Sequence, residues 1–259
     1  MDTDESEPSV SETSLGLTGN VIGEYADENI SISLQQFTVN ETEVYVADVT
    51  VSSAKYLKTA LADGTYGKNI KAKTSEMSSE NNAILAINGD YYGTRERGYV
   101  IRNGVLYRDS QDDSDVLVIY ADGSFEIVSA YDVTAEELVA KGAWQAFSFG
   151  PALVEDSQVT VGVNEETGRA KASNPRTAIG IIDDLHYVFV VSDGRTNESA
   201  GLSLYELGCF MQELGVTTAY NLDGGGSSTM VFQDQVINNP TSSGNSIKER
   251  SVSDIVYIG

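Results

Sequence analysis

Cysteine, histidine and basic residues are all scarce in this chain of 259 residues. The single cysteine, Cys209, rules out an internal disulfide. Its place beside an apolar helical stripe fits a packed thiol better than a nucleophile. The single histidine, His186, leaves no basis for a multi-histidine metal site, and little for a Ser–His–Asp triad. It opens an apolar strand pattern, where packing accounts for it. The 16 basic residues are outnumbered by 39 acidic ones, for a net charge of −23. That balance excludes nucleic-acid binding through a general basic surface. It still allows an anionic small substrate, which needs only one or two local arginines. No apolar run reaches the roughly 18 residues of a membrane-spanning helix. The phosphate-binding loop G-x-x-x-x-G-K-[ST] and the dinucleotide fingerprint G-x-G-x-x-G are both missing. So is a D-x-[DN]-x-[DN]-G loop. Clustered acids could hold calcium, but no cofactor or metal is indicated.

What the chain does have is a glycine-rich stretch at residues 219–231, AYNLDGGGSSTMV. An apolar run ends at Asp223, and Gly224, Gly225 and Gly226 follow, then Ser227, Ser228 and Thr229. Consecutive glycines permit positive φ and a close approach of another group to the main chain. The N–H groups of such a turn form a concavity suited to an anion. A tight turn between two buried strands would need the same glycines.

Around this stretch the chain reads as strands with few helices. Residues 1–14 are acidic, serine-rich and nearly without apolar side chains, an unstructured leader by composition. Residues 15–259 form one domain. Period-two alternation marks residues 30–39 and 44–51 as strands, and residues 83–88 form a buried strand ending at Asn88 and Asp90. Asn103-Gly104 and Asp122-Gly123 turn two hairpins. Capping boxes at Thr134 and Ser203 open two helices, a polar helix covers roughly residues 73–82, and Gly215 closes the last one. Residues 155–174 form a long surface loop, and residues 254–258 the last strand. The expected class is α+β, a single domain with a mixed or largely antiparallel sheet.

Polar clusters sit at three strand ends: Asn88 with Asp90, Asp193 with Arg195, and Asp223 with its serines and threonine. Arg176 starts a further strand. If these ends converge, they make a cleft with carboxylates, two arginines and a glycine-lined anion pocket. Arginine offers a rigid fork for phosphate. Backbone N–H groups stabilise added negative charge. Two carboxylates flanking a bond can hydrolyse a glycoside. Asp193 and Asp223, or one of them with Glu206, are the candidate pair, although each Asp-Gly can be a plain turn and Glu206 is accounted for by its capping box.

The segments AINGDYYG, NPRTAIG, VSDGR, GLSLYELGCFMQELG and NLDGGGSSTMV occur in that order between residues 86 and 231. Together they resemble the phosphodiester glycosidase family. The resemblance implies cleavage of a sugar-1-phosphodiester at the anomeric C–O bond. It implies that Asn88, Arg176, Asp193, Arg195, Asp223, Ser227, Ser228 and Thr229 line the site, with Glu206 contributed by the helix. Gly89-Asp90-Tyr91-Tyr92 stands where family members often carry Gly-Gly-Phe-Phe, so Asp90 reads as a local substrate contact rather than a common catalyst. Arg250, in a Glu-Arg-Ser-Val that lacks the family's proline, reaches in from its loop. The cysteine-rich and membrane-spanning additions of animal members are missing, so a microbial, extracytoplasmic enzyme acting on surface glycans is expected. A glycan-binding protein without chemistry, and a calcium-dependent esterase cutting the P–O bond, are the rival classes. Neither the sugar nor the oligomeric state follows from the sequence.

Overall fold

The computed structural model describes residues 10–12, 18–163, 173–243 and 246–259. Every strand pairing among them is antiparallel, and three helices accompany the sheets. The class is α+β. Of the expected leader, only Val10–Glu12 is described, and it pairs with the start of Thr18–Ala26. The rest of it, and residues 164–172 of the long loop, lie outside the described residues.

A nine-stranded sheet runs in the order Val10–Glu12, Thr18–Ala26, Ile30–Val39, Thr42–Val51, His186–Ser192, Arg176–Asp183, Thr218–Asn221, Ala152–Glu155, Gln158–Val159. Its central strands are apolar on both faces. Val188 and Val190 face one way, and Tyr187, Phe189 and Val191 the other. The first face is covered by helix Leu204–Glu213, whose Leu204, Leu207, Phe210 and Met211 recur at helical spacing. The second face packs on two smaller sheets. One, the inner sheet, runs Gln235–Val236, Met230–Phe232, Leu85–Asn88, Asp254–Ile258, Leu57–Leu61. The other, the hairpin sheet, runs Phe125–Ser129, Asp115–Tyr120, Ala143–Phe147, Val100–Arg102, Val105–Arg108. Leu85, Ile87, Leu117, Ile119, Phe147 and Val256 from these sheets join one central core with the large sheet. Each small sheet also has a helix on its outer side, Thr74–Glu80 on the inner sheet and Ala135–Ala140 on the hairpin sheet.

Local chemistry sets the element ends. Thr134 and Ser203 accept from the backbone N–H three residues on, and Glu137 and Glu206 bond back. Gly104, at φ +77°, and Gly123, at φ +97°, close the two hairpins.

Where the inner and hairpin sheets meet, a charge cluster is buried. Arg102 Nη2 donates to Asp90 Oδ1 and Arg102 Nε to Asp254 Oδ2, each at 2.8 Å. Asp90 also accepts from the N–H groups of Tyr92 and Ser148. Burial raises the Asp254 carboxyl to about 7 against the opposing pull of Arg102. Removing the guanidinium would strand two carboxylates away from water. Arg102→Met is expected to cost about 3–5 kcal/mol of stability. Without the cation nothing opposes the effect of burial on Asp254, whose carboxyl then binds its proton still more tightly folded than unfolded. The deficit therefore shrinks as pH falls through and below about 7, where Asp254 takes up its proton. Urea melts of both proteins across that range check it.

Candidate functional site

The glycine stretch is the crossover from the large sheet to the inner one. It leaves the large sheet after Thr218–Asn221 and enters the inner sheet at Met230–Phe232. Three backbone bonds fix its first limb: Leu222 N to Thr177 O, Asp223 N to Gly89 O, and Gly225 N to Pro175 O. The glycines are needed because of what surrounds them. A Cβ on Gly224 would lie 2.9 Å from Pro175 O, and one on Gly226 2.9 Å from Ser242 Cα. Gly225 holds φ +61°, and a Cβ there would lie 2.9 Å from Arg195 Nη2.

Two buried asparagines brace the loop from behind. Asn88 Nδ2 donates to Asp223 O at 2.6 Å, and its Oδ1 accepts from Thr229 N and Thr177 Oγ1. Asn238 Nδ2 donates to Ser228 O, and its Oδ1 accepts from Met230 N. Asn238 is itself held by Asp193 Oδ1, which also accepts from Asn239 N at 2.8 Å. Burial raises the Asp193 carboxyl above the usual range, against those donated bonds. Burial together with the Asp193 and Glu43 charges pushes the Tyr45 phenol up to about 12.

In front of this frame lies a cleft of about 560 Å³. Among the described residues its walls carry Arg95, Arg176, Arg195 and Arg250 with one carboxylate, Asp223, and the three loop glycines. Tyr91, Phe149, Asn174 and Asn221 complete it. Asp223 Oδ2 accepts from Ser227 Oγ and, at 3.2 Å, from Arg250 Nη2. Burial raises the Asp223 carboxyl, while Ser227 and Arg250 pull it down. Arg195 is held by Asn174 Oδ1, which accepts from its Nε and Nη2. Arg176 Nε donates to Leu202 O. Arg95 donates to Ser148 O and lies 4.7 Å above the Phe149 ring. Tyr91 and Arg195 both hold left-handed backbone, at φ 67° and 63°. That conformation costs about 1 kcal/mol or more per residue, and it aims both side chains into the cleft.

The structure thus gathers Arg176, Arg195, Asp223, Gly224, Gly225, Gly226 and Arg250 around one cavity. Other sequence candidates are placed behind it. Asn88, Asp193, Ser228 and Thr229 are buried supports of the loop, and Asp90 belongs to the Arg102 cluster. Glu206 does not line the cleft. Its Oε2 accepts from Ser203 N and its Oε1 from Asn40 Nδ2, so the carboxylate is spent on capping the helix and anchoring the Asn40 turn. The paired carboxylates expected from sequence therefore do not face each other across the cleft. Arg95, Tyr91 and Phe149 were not foreseen. They come from loops joined to the hairpin sheet; Tyr91 lies within the 86–93 segment and Arg95 just after it, while Phe149 stands apart from the quoted motifs. Among the described residues, no cluster of three or more histidine, cysteine, aspartate or glutamate side chains forms a metal-binding group.

Comparison with known proteins identifies the family and the fold. Residues 81–259 match the family model described as phosphodiester glycosidase. The SPbeta prophage-derived protein YomE of Bacillus subtilis is 31% identical over 182 residues, 67% of this chain and 28% of that protein. The N-acetylglucosamine-1-phosphodiester alpha-N-acetylglucosaminidase of Mus musculus is 32% identical over 97 residues, 36% of this chain and 19% of that protein. The chain thus spans less than a third of the length of these relatives. The zebrafish catalytic domain of the same glucosaminidase, auto-inhibited by its pro-peptide, superposes with a TM-score of 0.71 at 19% identity, over 93% of this chain and 87% of that one.

If Asn88 is what holds the loop, Asn88→Ala leaves the Thr229 N–H and the Asp223 carbonyl unpaired in a dry interior. A loss of about 2–4 kcal/mol is expected, read as a lower urea midpoint with an unchanged slope.

Proposed function

Since the chain belongs to the phosphodiester glycosidase family, we propose that it hydrolyses a sugar-1-phosphodiester at the anomeric C–O bond. The observation that carries this reading is the composition of the cleft, four arginines around one carboxylate among the described residues, in a protein of net charge −23. Charges more than about 10 Å away are screened at 0.1 M salt. The local cluster, not the acidic surface, therefore sets the potential that a phosphate meets.

One carboxylate is enough for this chemistry. A phosphomonoester leaving group has a second pKa near 6, so it departs without a proton donor. An alkoxide expelled by attack at phosphorus would need one. Arg176, Arg195 and Arg250 hold the phosphate oxygens and take up the charge that develops as C1–O breaks. Asp223 removes a proton from the water that attacks C1. The C1–O electron pair leaves with the phosphate, giving a free sugar and a phosphomonoester. Asp193 and Asn238 keep the loop in place, and Glu206 takes no part in the reaction.

Release of reducing sugar from a sugar-1-phosphodiester tests the reading. Water labelled with oxygen-18 should leave the phosphomonoester unlabelled; label in the phosphate would point to attack at phosphorus. Asp223→Asn is expected to lower kcat about 10²- to 10⁴-fold, and Arg195→Ala to raise KM. The base must be ionised, and burial holds Asp223 above the usual carboxylate range. Activity should therefore fall on the acid side at a pH above that of an ordinary aspartate. That acid limb should vanish from the residual rate of Asp223→Asn.

A further inference from the structure

Arg95 is a wall shared by two cavities. On its far side lies a second one, of about 290 Å³, whose walls include Tyr66, Lys68, Tyr92, Glu96 and Arg108. Resting on the reading above, we propose that this second cavity is a subsite for the neighbouring unit of the substrate, and that the unit carries its own negative charge. The natural substrate is then a polyanionic glycan rather than an isolated diester.

The second cavity is small for a ligand site, at the lower end of the usual range, and has room for about one unit rather than a chain. The charges on its walls are Lys68, Arg95 and Arg108 against Glu96, with Asp112 Oδ2 3.9 Å from Arg95 Nη1 as the further counter-charge. Arg108 donates to the carbonyls of Gly98, Tyr92 and Arg95, which fixes the shared wall while its charge stays beside the cavity. Lys68 is paired with Glu96 at 2.6 Å, but both side chains are largely exposed, at 58% and 81%. An exposed pair of this kind is worth little, so the ammonium can turn to a ligand anion at small cost. Tyr66 is clamped between the rings of Tyr92 and Tyr107, with centroids 5.1 and 5.0 Å away. That stack holds Tyr66 as a rigid aromatic wall of the cavity. The cavity is thus set before ligand arrives, and Arg95 lies between it and the Asp223 cleft, within reach of both.

Calorimetric binding of a hexose bisphosphate and of a hexose monophosphate to the full chain tests this without requiring turnover. The bisphosphate should bind at least about tenfold tighter, as a charge-assisted contact gives. Lys68→Glu and Tyr66→Ala should reduce that ratio towards one. Equal affinities in the parent protein, or a preference that survives Lys68→Glu, would overturn the proposal. Turnover of diesters extended by a neutral hexose or by a hexose phosphate is the second measurement. Faster kcat/KM for the charged extension supports the subsite, and equal rates for the two extensions overturn its charge. Failure of every diester to turn over would instead defeat the hydrolase reading, and the bisphosphate ratio would still decide the second cavity.

Discussion

The side-chain amide of Asn88 is the joint on which this protein's cleft is built. It ends a strand of the inner sheet, bonds Thr177 of the large sheet, and holds the glycine loop at both Asp223 and Thr229. Only a carboxamide can do this. The contacts require donors on one atom and acceptors on another, and an aspartate or a leucine of the same size offers one kind or neither. Because the bonds are buried, their loss has no solvent compensation. The positions of Asp223 and the loop N–H groups relative to Arg176 and Arg195 follow from that joint, with Asn238 repeating the device one turn further on.

Charge is distributed by the same logic. The acidic residues that give the chain its net charge are mostly on the outside, while those drawn inward have assigned partners. Asp90 and Asp254 share Arg102, and Asp193 is held by asparagines. Asp223 is different. It faces the cleft, and its partners Ser227 and Arg250 engage one oxygen only among the described residues. On the proposed mechanism this half-engaged carboxylate is the proton acceptor, whereas its fully engaged neighbours serve as framework.

Much of the secondary structure was legible because its signals are local. The capping boxes at Thr134 and Ser203 and the turns at Asn103-Gly104 and Asp122-Gly123 act within a few residues, so spacing alone reveals them. The site was legible in a coarser way. Glycines beside a strand end, with arginines at other strand ends, pointed to an anion cleft, and Arg176, Arg195 and Arg250 do meet there. What failed was the sorting of carboxylates. Asp193 and Glu206 look like Asp223 in sequence, since nothing local shows whether a carboxylate at an element's end has already found donors.

Composition, periodicity and turn chemistry by themselves determined that this is an acidic α+β domain with a glycine loop at a strand end, because each of those properties is carried by neighbouring residues. The tertiary structure alone decided that Arg95, Tyr91 and Phe149 join the cleft, that Asp223 faces it singly, and that Asp90, Asp193 and Glu206 lie behind or away from it. Those outcomes depend on which sheet passes over which. They also depend on hydrogen bonds between residues more than a hundred positions apart, such as Asn88 to Asp223, for which the linear chain holds no spacing rule.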